Sequence, residues 1–517
     1  MANPSLQIGN SNWAIKKDNL LGYSTAGTRF LPIPITMTRA SAGTRVNPQG
    51  LVETVELLGS ELVTNGNFEN NVLGWNKFKS NATESWNAGG YLDFTKTGVS
   101  GRLGSDVSLE TNKTYKISVN VISLGGLLDL YVGLSDFESP FAGVSTSPLV
   151  VGTNTFYLTF TGSASSKGVY LQSAGTNYFG LTASINNISV KESTRNDLAR
   201  VDYTGSTSSL LVEPQRTNEY TESTNIDKWS FSNATGTSNY SVSPDGTQNA
   251  SRLLFSGSGY AFRGLTQLSG VQYTVSVYAK RNDSATQSFG FFVNGSGAID
   301  SQLNITSEWK RFTYTYTTTN TSETGLAGDS GADISFYGFQ KEQGSYATSI
   351  IPTSGSAVTR VQDQYSKTGI SDKINSEQGV LFVEMAATSL SSNYDVISLS
   401  DGTTSNVVGI FYLTNTKSIN INVKKSGVSV FSGFASTITY PPLDFHKIAL
   451  KYKTGDFALW IDGTEVLTGI GAFTNLGLSN LQLADGNGTS NKFFGKVKQL
   501  QVFKTALTDS ELATLTT

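Results

Sequence analysis

A single histidine and a complete lack of cysteine narrow the chemistry open to this chain. Without cysteine there are no disulfides, thiolate metal sites or cysteine nucleophiles. A Ser-His triad or a histidine-rich metal site would have to use His446, which lies within the alternating stretch Phe445-His-Lys-Ile-Ala-Leu-Lys-Tyr452 and reads as structural. Carboxylates are numerous, but no spacing singles out a pair suited to glycoside hydrolysis. The chain is therefore not expected to be an enzyme. Asp485-Gly-Asn-Gly-Thr-Ser-Asn491 places oxygen-bearing side chains at alternate positions, as a calcium loop does, yet lacks the bidentate acid; a glycine-rich turn is the plainer reading. What remains is aromatic. Sugar rings present flat C–H faces that stack on exposed aromatic side chains, and the candidates for such contact are Trp86 and Tyr91 in one region and Tyr260 and Phe262 in another.

The elements that would carry these residues are strands. Thr114-Tyr-Lys-Ile-Ser-Val-Asn-Val121 alternates with period two, placing Tyr115, Ile117, Val119 and Val121 on one face. Tyr273-Thr-Val-Ser-Val-Tyr-Ala-Lys280 repeats the pattern about 156 residues later. The same offset relates Phe156, Leu158 and Phe160 to Phe312, Tyr314 and Tyr316, and Trp75 to Trp229. A period this long is a duplicated domain, not a solenoid repeat. Recurrence of Trp75 and Trp229 at equivalent positions assigns them to cores. The copies are expected at 59–193 and 217–350, with connectors at 194–216 and 351–372, a third sandwich at 373–517 and a separate N-terminal segment at 1–58. In the third sandwich, the hairpin 445–461 leads into the turn pair Asp462-Gly463, and Thr508-Asp-Ser-Glu511 spells a capping box, with Leu507 and Leu512 placed as a hydrophobic staple.

Composition agrees with an all-β chain: charged residues are 15% of the total, and glycine reaches 52. Thirty-seven basic residues against 40 acidic ones leave no basic tract for a nucleic-acid partner. No apolar run is long enough for a membrane span, and no Sec signal is expected. Heptads are absent, so self-association would use sheet faces or connectors.

Three resemblances add to this reading. Glu61-Leu-Val-Thr-Asn-Gly-Asn-Phe-Glu-Asn-Asn-Val-Leu-Gly-Trp75 with Ile185-Asn-Asn-Ile-Ser-Val190 resembles the start and end of type 4/9 carbohydrate-binding modules, which are jelly rolls. That resemblance implies a structural calcium held in part by Glu69, although Asn186 and Asn187 stand where the family has acids. His446-Lys-Ile-Ala-Leu, Leu459-Trp-Ile-Asp-Gly463, Phe494-Gly-Lys-Val-Lys-Gln-Leu-Gln-Val-Phe503 and Ala506-Leu-Thr-Asp-Ser-Glu-Leu512 resemble the strand motifs of concanavalin-like, laminin-G-like lectin sandwiches. The segments 38–47, 211–218 and 344–360 are similar to segments of tailed-bacteriophage tail fibres and other virion surface proteins.

The expected architecture is all-β: two jelly-roll carbohydrate-binding-like modules, a concanavalin-like sandwich and an N-terminal attachment segment. The resemblances imply a tail or head fibre or decoration protein on the virion surface, bound to other virion proteins through its N-terminus, trimeric, and presenting its modules to host glycans. A structural spacer without glycan binding and an accessory of a polysaccharide-degrading system are the alternatives. No cofactor is called for beyond a calcium at Glu69 or Asp485.

Overall fold

The computed structural model describes residues 2–11, 13–26, 29–69, 71–78, 82–98, 102–126, 128–134, 149–161, 167–173, 180–265, 267–284, 286–293, 295, 298–319, 323–388, 394–413, 418–434 and 443–517. The regular structure of the described residues is almost all strand, and the chain divides into two compact units, residues 56–194 on one hand and 1–55 with 195–517 on the other.

Residues 56–194 form a β-sandwich. One sheet orders the strands Gly152–Thr159, Thr114–Leu124, Thr182–Thr194, Tyr91–Lys96 and Ala82–Asn87, with Leu57–Glu61 also on Thr182–Thr194; the second orders Leu128–Leu134, Lys167–Ser173, Arg102–Asp106 and Asn76–Phe78. The inward positions of the alternation, including Leu92, Phe94, Ile117, Val119, Leu103 and Leu171, fill the space between them.

The second copy repeats this pairing. Gln272–Arg281 lies between Lys310–Thr317 and Asp333–Gln343, as Thr114–Leu124 lies between Gly152–Thr159 and Thr182–Thr194. In both copies the ladder to the closing strand carries a bulge, at Asn120/Val121 in the first and Ser276/Tyr278 in the second. Trp75 and Trp229 are both buried, and each donates its indole N–H to a preceding backbone carbonyl, Asn65 at 3.2 Å and Glu222 at 3.0 Å. The tryptophans are core residues with a satisfied polar edge.

In the C-terminal sandwich, Gln378–Ala387 runs between His446–Lys453 and Gly495–Phe503. The hairpin His446–Lys453/Phe457–Ile461 is present, and Asp462 and Gly463 both adopt positive φ, 47° and 80°, the requirement of a two-residue type I′ turn. The helix Asp509–Thr516 starts with the capping box of Thr508 and Glu511, while Leu507 and Leu512 pack with Phe382 and Phe503 under Trp460.

Of residues 1–58, expected as a segment apart, the strands between Leu6 and Thr38 join this sandwich, while Thr44–Val46 and Val52–Thr54 pair with each other. Leu6–Gly9 pairs antiparallel with Gly495–Phe503, Leu6 opposite Val502, and Arg29–Thr38 pairs with Gln364–Lys367. The driving force is apolar: Leu6, Ile8, Ile35 and Met37 share one core with Leu381, Val383 and Leu500. The connectors are likewise sheet. Arg200–Thr204 and Thr207–Val212 form a hairpin whose second strand pairs with Gly495–Phe503, and Val358–Arg360 pairs with Arg216–Asn218.

Candidate functional site

The strand Ala250–Gly264 alternates cleanly. Leu253, Phe255 and Ala261 point into the core, so Tyr260 and Phe262 stand on the opposite face, half-buried. Cross-strand register builds two rows on that face, since directly paired residues point the same way. Ser230, Phe262, Gly325 and Phe292 form one row; Ser232, Tyr260, Ala327, Gly290 and Gln302 form the other. The rings cluster across the small residues, Tyr260 to Phe292 at 4.8 Å between centroids, Tyr260 to Phe262 at 5.4 Å and Phe262 to Phe292 at 6.3 Å. A Cβ on Gly325 would lie 2.0 Å from the Ala261 carbonyl oxygen, so no other residue fits there, and the half-buried Tyr260 and Phe262 pack against the fully buried Phe292.

Beside this cluster a cavity of about 400 Å³ opens, lined in part by Ser258, Ala327, Gln302, Asp329 and Ile299. Tyr260 is the cross-strand neighbour of its lining residue Ala327. Ser258 Oγ donates to Asp329 Oδ1 at 3.2 Å. Aromatic surface next to a carboxylate, an amide and a hydroxyl is a set of groups that can stack on a sugar ring and bond its hydroxyls. Sequence reasoning names Tyr260 and Phe262 and does not name the neighbouring Phe292, Gln302 and Asp329. The run Phe289-Gly-Phe-Phe292 was the available signal: with Phe289 and Phe291 in the core, period two sends Phe292 to the other face.

The first copy does not bring its aromatics together. Trp86 lies opposite Leu92 and Tyr91 opposite Asn87 in the hairpin of Ala82–Asn87 and Tyr91–Lys96, so the two rings occupy opposite faces. Trp86 is on the edge strand, 40% exposed, and its indole N–H donates to the Phe68 carbonyl at 2.8 Å. Tyr91 shares its face with Asp93, which accepts from Asn87 Nδ2 at 3.1 Å and Ser184 Oγ at 2.6 Å.

Neither calcium candidate fits a metal site. Glu69 is exposed on a turn. The Asp485 carboxylate is engaged by its own loop, accepting from the backbone N–H groups of Thr489 at 3.2 Å and Ser490 at 3.3 Å and from Ser490 Oγ. Among the described residues no group of three or more His, Cys, Asp or Glu side chains converges. His446 pairs its Nδ1 with Asp462 Oδ2 at 2.6 Å. Burial opposes ionisation of Asp462, but His446 and the Lys447 amide outweigh it and hold the carboxyl below its ordinary range. This is a strand-to-turn staple.

The connector residues meet in a buried ionic lattice. Arg39 Nη1 reaches Asp363 Oδ1 at 2.7 Å, and Arg200 bridges Asp363 to Glu213, the latter at 2.6 Å. Arg360 Nη1 reaches the same Glu213 oxygen at 2.8 Å, and Ser349 donates to Glu213 through both N–H, 2.8 Å, and Oγ, 2.7 Å. All five ionic side chains are at most 4% exposed. Burial pushes the Glu213 carboxyl upward, but Arg360 and Arg200 hold it well below the usual carboxylate range.

Residues 381–513 match the model of the concanavalin A-like lectin/glucanases superfamily. That stretch is the C-terminal sandwich described above. No significant match is found among curated proteins. Among solved structures, the carbohydrate-binding module CBM40 of the Ruminococcus gnavus IT-sialidase, bound to α2,3 sialyllactose, is similar at 20% identity over 28% of this chain and 84% of that one, with a TM-score of 0.25. The tandem CBM22-1–CBM22-2 of Paenibacillus barcinonensis Xyn10C is 11% identical over 56% of this chain and 98% of its own, with a TM-score of 0.20. The leech intramolecular trans-sialidase, complexed with 2,7-anhydro-Neu5Ac, is 20% identical over 28% of this chain and 23% of its own, with a TM-score of 0.24.

Proposed function

We propose that this protein is a non-catalytic glycan-binding protein whose sugar contact is the outer face of the second sandwich, with Tyr260 and Phe262 as the stacking surface. The observation that carries this reading is the half-buried pair Tyr260 and Phe262, backed by the buried Phe292, on the face whose neighbouring cavity offers Gln302, Asp329 and Ser258. A sugar ring laid beside Tyr260 would bury its C–H face and direct hydroxyls to those polar groups. Screening the intact chain and its Tyr260→Ala/Phe262→Ala variant on a glycan array tests it. Binding by the intact chain that disappears in the folded variant is expected; equal binding by both would overturn the assignment of the site.

The biological setting we propose is a virion surface fibre or decoration protein. It is supported by the resemblance of segments 38–47, 211–218 and 344–360 to tail-fibre sequences, and it entails attachment to other virion proteins and a trimeric state. Antibody labelling of virions in cryo-electron micrographs tests it, and undecorated particles would sink it.

A further inference from the structure

A second cavity, of about 450 Å³, lies elsewhere in the unit of residues 1–55 and 195–517. One wall is the cross-strand pair Tyr278 and Arg311, on the face turned away from the core, since their neighbours Val277 and Phe312 face inward. The guanidinium carbon sits 5.8 Å from the tyrosine ring centroid. The lining also includes Arg45, Asp202, Lys496, Glu213 and the segment Thr348–Ile350.

The charges lining this cavity are matched in every case but one. Arg45 pairs with Glu53 at 2.8 Å, Lys496 with Asp202 at 2.8 Å, and Glu213 with Arg200 and Arg360. Arg311 has no carboxylate within ion-pairing distance among the described residues. It makes one hydrogen bond, Nη2 to Ser276 Oγ at 2.9 Å, and its Nε is buried without a partner. A guanidinium with idle donors in a partly enclosed cavity is costly unless something else completes it, and the planar partner that matches its fork is a carboxylate. The rest of the lining decides what the carboxylate is attached to. The Tyr278 ring, Phe445, Ala386 and Ala387 supply apolar lining, while Thr348 and Ser349 add polar groups. The volume lies within the roughly 300–1,000 Å³ of small-molecule sites.

We propose that this cavity binds a carboxylate-bearing sugar unit, with Arg311 pairing to the carboxylate and the Tyr278 ring against the sugar face. The site is separate from the Tyr260 surface and does not depend on it. Titration calorimetry of the full chain with glucuronate, glucose and acetate tests the proposal. Glucuronate is expected to bind at least tenfold more tightly than glucose, which lacks the carboxylate, and than acetate, which lacks the ring. Arg311→Gln should weaken glucuronate binding at least tenfold. Glucuronate binding no tighter than glucose, acetate binding as tightly as glucuronate, or unaltered affinity in Arg311→Gln would each overturn it. Because the three-ligand series is run on the unaltered chain, a folding defect in the variant does not shield the proposal.

Discussion

The two repeated sandwiches share their central pairing and even the position of a bulge, yet they differ in where their surface aromatics end up. In the second copy Tyr260 and Phe262 are two residues apart on one strand, so they share a face and meet Phe292 across a glycine. In the first copy Trp86 and Tyr91 flank a hairpin turn whose register pairs 86 with 92 and 87 with 91, and parity sends them apart. A duplicated scaffold thus keeps its core tryptophans while its outer faces diverge, because core positions are fixed by packing on every side and outer positions only by solvent.

A wider contrast sits beneath this one. The unit holding the second copy is tied by buried ion pairs among Arg39, Arg200, Arg360, Glu213 and Asp363, whereas the core of residues 56–194 is an apolar cluster. Replacing Arg200 by alanine leaves Asp363 with Arg39 and Glu213 with Arg360 as their remaining cations, and breaking a buried pair costs about 3–5 kcal/mol. Calorimetry should show the transition of the larger unit falling while that of residues 56–194 stays in place; a change confined to the latter would refute the contrast.

The larger unit also carries Asp395, whose pKa burial pushes up to about 7 against a single 3.0 Å bond from the Phe494 amide. An acid raised in the fold stabilises it only in relative terms at low pH: stability is highest below about pH 4, where the unfolded chain is also protonated, and falls as pH rises to about 7. Asp395→Asn should therefore raise the thermal midpoint at pH 8, by up to about 4 kcal/mol in stability, and leave it nearly unchanged at pH 4. Thermal scans at the two values check this.

For binding, Tyr260→Ala should weaken a captured glycan about tenfold, some 1.4 kcal/mol, while Tyr91→Ala leaves it unchanged; equal losses would mean that the two copies act alike. The smallest effect is expected for Trp86→Phe, which removes the bond to the Phe68 carbonyl and should cost about 1 kcal/mol, read as the denaturant midpoint of residues 56–194.

Strands, the duplication, the Asp462-Gly463 turn and the Thr508 cap were all legible in the sequence because each is local or strictly periodic. The core role of Trp75 and Trp229 was legible from their recurrence. Register was not: no residue near Trp86 announces which partner it faces, and the split from Tyr91 depends on where a turn closes. The ionic lattice was hidden because its members come from segments around 39, 200, 213 and 360, and only the fold brings them within 3 Å. A hint existed, since charges are sparse in this chain yet arginines recur in segments otherwise built of turn formers and apolar anchors.

The pairing of Leu6 with Val502 also sets a timetable. Strand Leu6–Gly9 has its ladder partner nearly 500 residues downstream, and at about 5–20 residues per second of synthesis that partner appears only after roughly half a minute or more. Residues 56–194 draw their core from their own stretch of chain and can close while the ribosome is still working. The strands that precede them can pair among themselves, Asn19–Ala26 with Arg29–Thr38, but Leu6–Gly9 must wait for Gly495–Phe503 until the last sandwich is made.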